Sequence, residues 1–277
     1  MTNRYKFLDE KGEHVHLLDG QPLVGTSRVG SVLAKPLAWY GSGKAVEVFG
    51  CPNPKVLTKI KNNKATFGEK EELFDSAETA LAGLRKLNTN EYIALIDKAY
   101  RAHDTYMRQR AKGGTDTHKL CERYIKAVMS GAEPQPSTQI EPFMDWAVSN
   151  VKRWLWSEGH CYSEKHWIGG ICDAGYEKLD GTFGILDFKS TKEAYVPQFW
   201  QCAGYDIQIS ENGVLDKDGN QIFTLPKVEL NFLSPIKEYC IFAFGGDIPK
   251  PYFFSDPKGA KEAFLATLLI YNKLPQE

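Results

Sequence analysis

Residues 169–191 read GGICDAGYEKLDGTFGILDFKST, and the turn inside this stretch decides how the chain folds. Alternation along Ile185–Lys189 puts Ile185, Asp187 and Lys189 on one face of a strand and Leu186 and Phe188 on the other. An acid and a lysine thus share a face with an isoleucine, which costs desolvation energy unless something binds there. One strand earlier stands another acid, Asp173. If the turn between Lys178 and Thr182 is odd in length and centred on Asp180, Asp173 lies opposite Asp187. Gly181 in the left-handed conformation of a bulge would give that register. Two carboxylates so placed repel each other unless a divalent cation lies between them, and oxygen ligands suit magnesium or manganese rather than zinc. A lysine beside that cation can orient or help deprotonate a water and offset charge on a pentavalent phosphorane. An Asp-x-Lys pair on an exposed edge strand needs none of this, so the surrounding sequence has to discriminate.

Outward from this hairpin, the pattern predicts a mixed α/β fold. Upstream, helical periodicity covers 76–87 and 90–112 and stops at Gly113-Gly114. A new helix then starts with Thr115 as N-cap and runs to Gly131. The run 143–159 reads as a further amphipathic helix, followed by strands over 160–168, 169–178 and 181–191. Downstream come a helix over 196–210, a hairpin over 211–223, strands over 227–235 and 238–246, and a helix over 256–274. Residues 1–24 suggest one or two strands with turns at Glu10-Lys11-Gly12 and Asp19-Gly20, and a short helix should end near Gly41. The expected organisation is an N-terminal elaboration over 1–75 packed on a core over 76–277, with a central mixed sheet flanked by helices.

Composition narrows the class. The 277 residues are 42% hydrophobic and 25% charged, as in an ordinary globular chain. The start carries charges throughout and has no apolar run of signal length, so a cytoplasmic protein is expected, with no membrane span. The six cysteines are scattered singly and read as reduced, buried thiols. A net charge of -1 exerts no global pull on nucleic acid, so a nucleic-acid enzyme of this kind must concentrate its basic residues locally. Candidates are 55–64 and 100–114, and solvated helix faces would look the same.

Four short motifs occur in order: GTDTHKLCE (Gly114, Thr115, His118, Glu122), GICD (Gly170, Asp173), DFK (Asp187, Lys189) and QCAGY (Gln201, Tyr205). In this order the chain resembles the RecB-type branch of the PD-(D/E)xK nuclease superfamily, over roughly 114–205 by motif. The resemblance implies a restriction-endonuclease-like core. It further implies a metal site of His118, Asp173, Asp187 and the Phe188 carbonyl, with Lys189 as catalytic lysine and Glu122 beside the ligands. Gln201 and Tyr205, one helical turn apart, would hold DNA or the lysine. Arg108, Arg110, Lys112 and Thr115 are candidate phosphate contacts, and Trp39, Tyr40, Trp167 and Trp200 are candidate stacking surfaces. Glu164 is a candidate extra acid.

The resemblance points to a magnesium- or manganese-dependent DNA exonuclease acting on free ends, of the compact phage or mitochondrial-maintenance type, with a recombination or single-strand-binding protein as a candidate partner. Some relatives hold an iron–sulfur cluster with three cysteines after the Gln/Tyr helix; here only Cys240 follows Cys202, and no cluster is expected. No GxxxxGK[ST] loop is present, so no nucleotide is expected. A structure-specific or flap endonuclease would carry the same motifs. An inactive DNA-binding module is the reading from another class, and intact His118, Asp173, Asp187 and Lys189 weigh against it. A zinc hydrolase is weaker again, because the histidines lack HExxH spacing.

Overall fold

The computed structural model describes residues 4–10, 13–33, 38–50, 55–226 and 235–274. In chain order its elements are β1 (Tyr5–Glu10), β2 (Glu13–Leu18), β3 (Gln21–Pro22), β4 (Val24–Gly25), α1 (Thr26–Val29), α2 (Ala38–Val48), α3 (Lys55–Lys61), α4 (Phe67–Leu84), α5 (Thr89–Tyr100), α6 (Ala102–Met129) and α7 (Glu141–Asn150). There follow β5 (Val151–Ser163), β6 (Ile168–Lys178), β7 (Phe183–Lys189), α8 (Val196–Asn212), β8 (Val214–Leu215), β9 (Gln221–Phe223), β10 (Ile236–Ala243), β11 (Lys250–Phe254) and α9 (Pro257–Tyr271).

By contact, residues 1–34 and 114–277 form one compact unit and residues 35–113 another. The position 75/76, where a domain boundary was expected, falls inside α4. That helix starts upstream of the expected one because Thr66 and Glu69 close a capping box around its first turn.

In the first unit the sheet order is β11-β10-β7-β6-β5-β8-β9, with β4 also paired to β6. β5, β6 and β7 run antiparallel, β10 is parallel to β7, and β4 is parallel to β6. The sheet is therefore mixed, with helices on both faces. On one side α6 and α7 place Cys121, Tyr124, Ile125 and Phe143 against Tyr176, Leu186, Phe188 and Phe242. On the other, α8 and α9 place Phe199, Ala203, Ile209 and Phe264 against Trp156, Ile185, Tyr239 and Ile241. The alternation along β7 is what feeds both layers, one residue in two to each.

Four local expectations change. The helix expected over 143–159 ends at Asn150, and Val151–Ser163 forms β5 instead. Val151, Trp154 and Leu155 fit a helical stripe, but Trp154 and Trp156 also fit strand alternation, and pairing along the length of β6 decides for the strand. The helix expected over 90–112 breaks at Arg101, which leaves helical geometry at φ -92°, ψ 2°. The helix then does not stop at Gly113-Gly114: α6 passes through them, and Thr115 lies inside it rather than capping it. Two glycines cost a helix about 1 kcal/mol each, a penalty that the packing of a 28-residue helix outweighs. Likewise α2 continues past Gly41 to Val48. Most of the strand expected over 227–235 lies outside the described residues. Among the described residues no helix is long and apolar enough to cross a membrane, and Cys121, Cys161, Cys172, Cys202 and Cys240 are free and buried.

The N-terminal sheet, β1-β2-β3, is tied to β5 through a buried ring cluster. The Tyr5 hydroxyl lies 2.6 Å from His16 Nδ1 and 3.2 Å from His160 Nδ1. Burial above all, then the neighbouring His160 and His14, lowers the pKa of His16 from 6.5 to about 4. An unfolded histidine binds a proton near pH 6.5 that the folded chain refuses until about pH 4. Stability is thus complete above that window and should fall as pH drops through it, by about 3 kcal/mol at His16. Thermal melts between pH 7 and 4 check this, and a His16→Gln variant should lose part of the slope.

Candidate active site

The site begins with a turn. Gly181 adopts φ +85°, its N–H donates to the Lys178 carbonyl at 3.0 Å, and Thr182 N–H donates to Asp180 Oδ1 at 2.9 Å. The turn is centred on Asp180, and the ladder above it pairs Glu177 with Phe183, Tyr176 with Gly184, Gly175 with Ile185 and Ala174 with Leu186. One step further, Asp173 falls opposite Asp187.

At that step the strands part. β5 occupies one edge of β6 along its length, so β7 at 174–177 and β4 at 168–169 share the other edge. Residues 170–173 lie in the gap between them. Into this gap Phe188 N–H donates to Asp173 Oδ2 at 2.7 Å. The N–H and C=O of one strand residue face the same neighbour, so the Phe188 carbonyl faces the gap too. Gly170 gives the room required: a Cβ there would stand 2.8 Å from both Thr26 Oγ1 and Tyr205 Cε1.

Around the gap, α6 brings His118, whose Nδ1 is 3.7 Å from Asp173 Oδ2 and whose ring stands edge-on to Phe188. Glu122, one turn on, pairs with Lys126. From the other layer α8 brings Gln201 and Tyr205. Lys189 Nζ is 2.5 Å from Asp187 Oδ2 and donates to Gln201 Oε1 at 3.3 Å, while Gln201 Nε2 donates to the Tyr205 hydroxyl at 2.6 Å. Tyr205 therefore fixes the amide that fixes the lysine, and of the two it is Gln201 that contacts Lys189.

Electrostatics follow from burial. Burial first, and the Asp187 carboxylate second, push the Asp173 carboxyl up to about 6. Burial opposes charge on Lys189, but Asp187 and Asp173 outweigh it and hold its pKa above that of an ordinary lysine. A further acid, Glu158 on β5, belongs to the same group: burial first, then Asp173 and Glu122, push it to about 8. Sequence reading missed Glu158 because it placed this residue at the end of a helix. The strand propensity of Trp154 and Trp156 was the available signal, although a register shift between them sends the two rings to opposite layers. Glu164, the extra acid that was considered, pairs with Arg4 on the surface at 3.0 Å.

The donor set suits a hard divalent cation on two counts. Asp187 helps to hold the Asp173 pKa up, and Asp173 that of Glu158, a strain that a cation between them would relieve. Asp187 is 2% exposed, and its Oδ2 meets Lys189 without the alignment of a hydrogen bond. Among the described residues no three His, Cys, Asp or Glu side chains already converge as a metal cage.

The remaining candidates stand as follows. Arg108 is exposed on the part of α6 that belongs to the other unit. The side chains of Arg110, Lys112 and Thr115, and those of Trp39 and Tyr40, lie outside the described residues. Trp167 is 40% exposed with its indole N–H on the Pro22 carbonyl, and Trp200 is half-buried on α8 against the core. No protein-family model matches the chain, and no curated protein is significantly similar to it.

Proposed function

We propose that the chain is a divalent-metal-dependent deoxyribonuclease with a restriction-endonuclease-like core, hydrolysing phosphodiester bonds from free DNA ends. The observation that supports this most is the register of β6 on β7, whose last pair, Ala174 with Leu186, leaves Asp173 and Asp187 as the next position, with Lys189 two residues beyond Asp187 and in contact with it. His118, Asp173, Asp187 and the Phe188 carbonyl would hold magnesium or manganese. When bound, such an ion polarises a phosphoryl oxygen and lowers the pKa of a coordinated water.

The protein's own part is positioning and charge. Asp187 and Gln201 hold the Lys189 ammonium at the edge of the gap, and Tyr205 keeps the Gln201 amide from turning. The raised pKa keeps Lys189 cationic at neutral pH, suited to offset charge that builds on a phosphate and to orient the attacking water. Lys189 in this state is a donor and not a free base.

The test is digestion of end-labelled linear DNA, single- and double-stranded, beside a closed circle, with magnesium, manganese, zinc or EDTA. Loss of linear DNA alone, dependent on magnesium or manganese and absent in Asp187→Asn, is the expected result. Cutting of the circle would replace the exonuclease with an endonuclease. Activity with zinc alone, or none with any metal, would overturn the nuclease reading.

A further inference from the structure

Glu158 stands where no folding interaction asks for it. In β5, Ser157 pairs with Ala174 and Gly159 with Cys172, which brackets Glu158 opposite Asp173. Asp173 and Asp187 take the next register position beyond the last β6–β7 pair, Ala174 with Leu186, so the three acids hold adjacent register positions on three neighbouring strands. The backbone of Glu158 is left-handed, with φ +53°, a conformation that side-chain-bearing residues adopt at a cost. Among the described residues no hydrogen bond or ion pair is made to its carboxylate. A strained, unpaired acid set against other acids weakens a fold, and it is retained at a site where something else uses it.

We infer that Glu158 is a third metal-facing carboxylate, which extends the site of Asp173 and Asp187 onto β5. This rests on the metal-dependent reading above and adds to it a residue that none of the four sequence motifs contains. The ligand class is a hard divalent cation, held directly by the carboxylate or through a water that it accepts from. Glu122 and Lys126 on α6 are the charged groups nearest to it from the opposite layer, and they leave the line of acids net negative.

The experiment uses the full chain freed of metal with EDTA and then dialysed. Manganese binding is measured by the loss of the free-ion paramagnetic resonance signal, together with melting temperature, for wild type, Glu158→Gln, Glu158→Gly and Asp187→Asn. Both Glu158 variants should bind manganese about 10- to 100-fold more weakly. Without metal they should melt at or above the wild-type temperature, Glu158→Gly highest because glycine tolerates the left-handed backbone. Wild-type affinity in both variants, with binding lost in Asp187→Asn, would overturn the inference and leave the nuclease reading standing. Lower metal-free melting in both variants with unchanged affinity would assign Glu158 to the fold and overturn it as well. If wild type itself takes up no manganese, the metal-dependent reading fails, and this inference with it.

Discussion

Lys189→Met is expected to lower DNA hydrolysis by about 10²–10³-fold and, independently, to destabilise the metal-free protein by about 3 kcal/mol. The two losses have separate causes. The first is the loss of a positive charge beside the scissile phosphate. The second arises because Asp187, 2% exposed, is left buried without its partner at 2.5 Å. A double variant separates them: in Asp187→Leu/Lys189→Met no charge of the pair remains buried, so stability should return to within about 1 kcal/mol of wild type while hydrolysis stays absent. Urea unfolding in EDTA and the nuclease assay read the two effects. Full activity in Lys189→Met would remove the lysine from the chemistry.

Asp206→Ala is expected to do the reverse, a large loss of stability with chemistry intact. Asp206 is wholly buried on α8 and receives the Tyr239 hydroxyl at 2.7 Å and the Lys261 ammonium at 2.7 Å. Truncation leaves both without their acceptor, at a cost of about 3–5 kcal/mol. For a chain of this size that lowers the melting temperature on the order of 10 °C. Cleavage measured well below that temperature should match wild type. Both buried Asp–Lys pairs lie in the layer between the sheet and α8, yet their surroundings differ. Asp206 is matched by a cation and a phenol, whereas Asp187 shares its one lysine with Asp173.

How far these roles were legible depended on how locally each was encoded. The β6–β7 register could be read because a five-residue turn with glycine in its left-handed position fixes it without help from the rest of the chain. His118, Glu122, Gln201 and Tyr205 could be placed on helices because their i, i+4 spacing is itself helical. The identity of β5 could not, because Val151–Gly159 fits two periods and only the partner strand chooses between them. Glu158 was lost with it. The run through Gly113-Gly114 was misread for a related reason: glycine lowers helix propensity by a fixed amount, while the packing that overrides it comes from remote residues. The Gln201–Lys189 contact was one of two that the resemblance offered, the other being DNA, and its geometry depends on how α8 sits on the sheet.

The edge of β6 that β4 completes has a consequence for the order of assembly. Val24 and Gly25 pair with Ile168 and Gly169, and Thr26 Oγ1 donates to the Gly169 carbonyl at 3.0 Å. The hairpins β5–β6 and β6–β7 close short loops and can form quickly, whereas this pairing closes a loop of well over a hundred residues. During synthesis at about 5–20 residues per second, the segment that walls the gap at Gly170 waits roughly 7–30 s for its partner strand. The wall of the candidate site is therefore made well over a hundred residues ahead of the strand on which it docks.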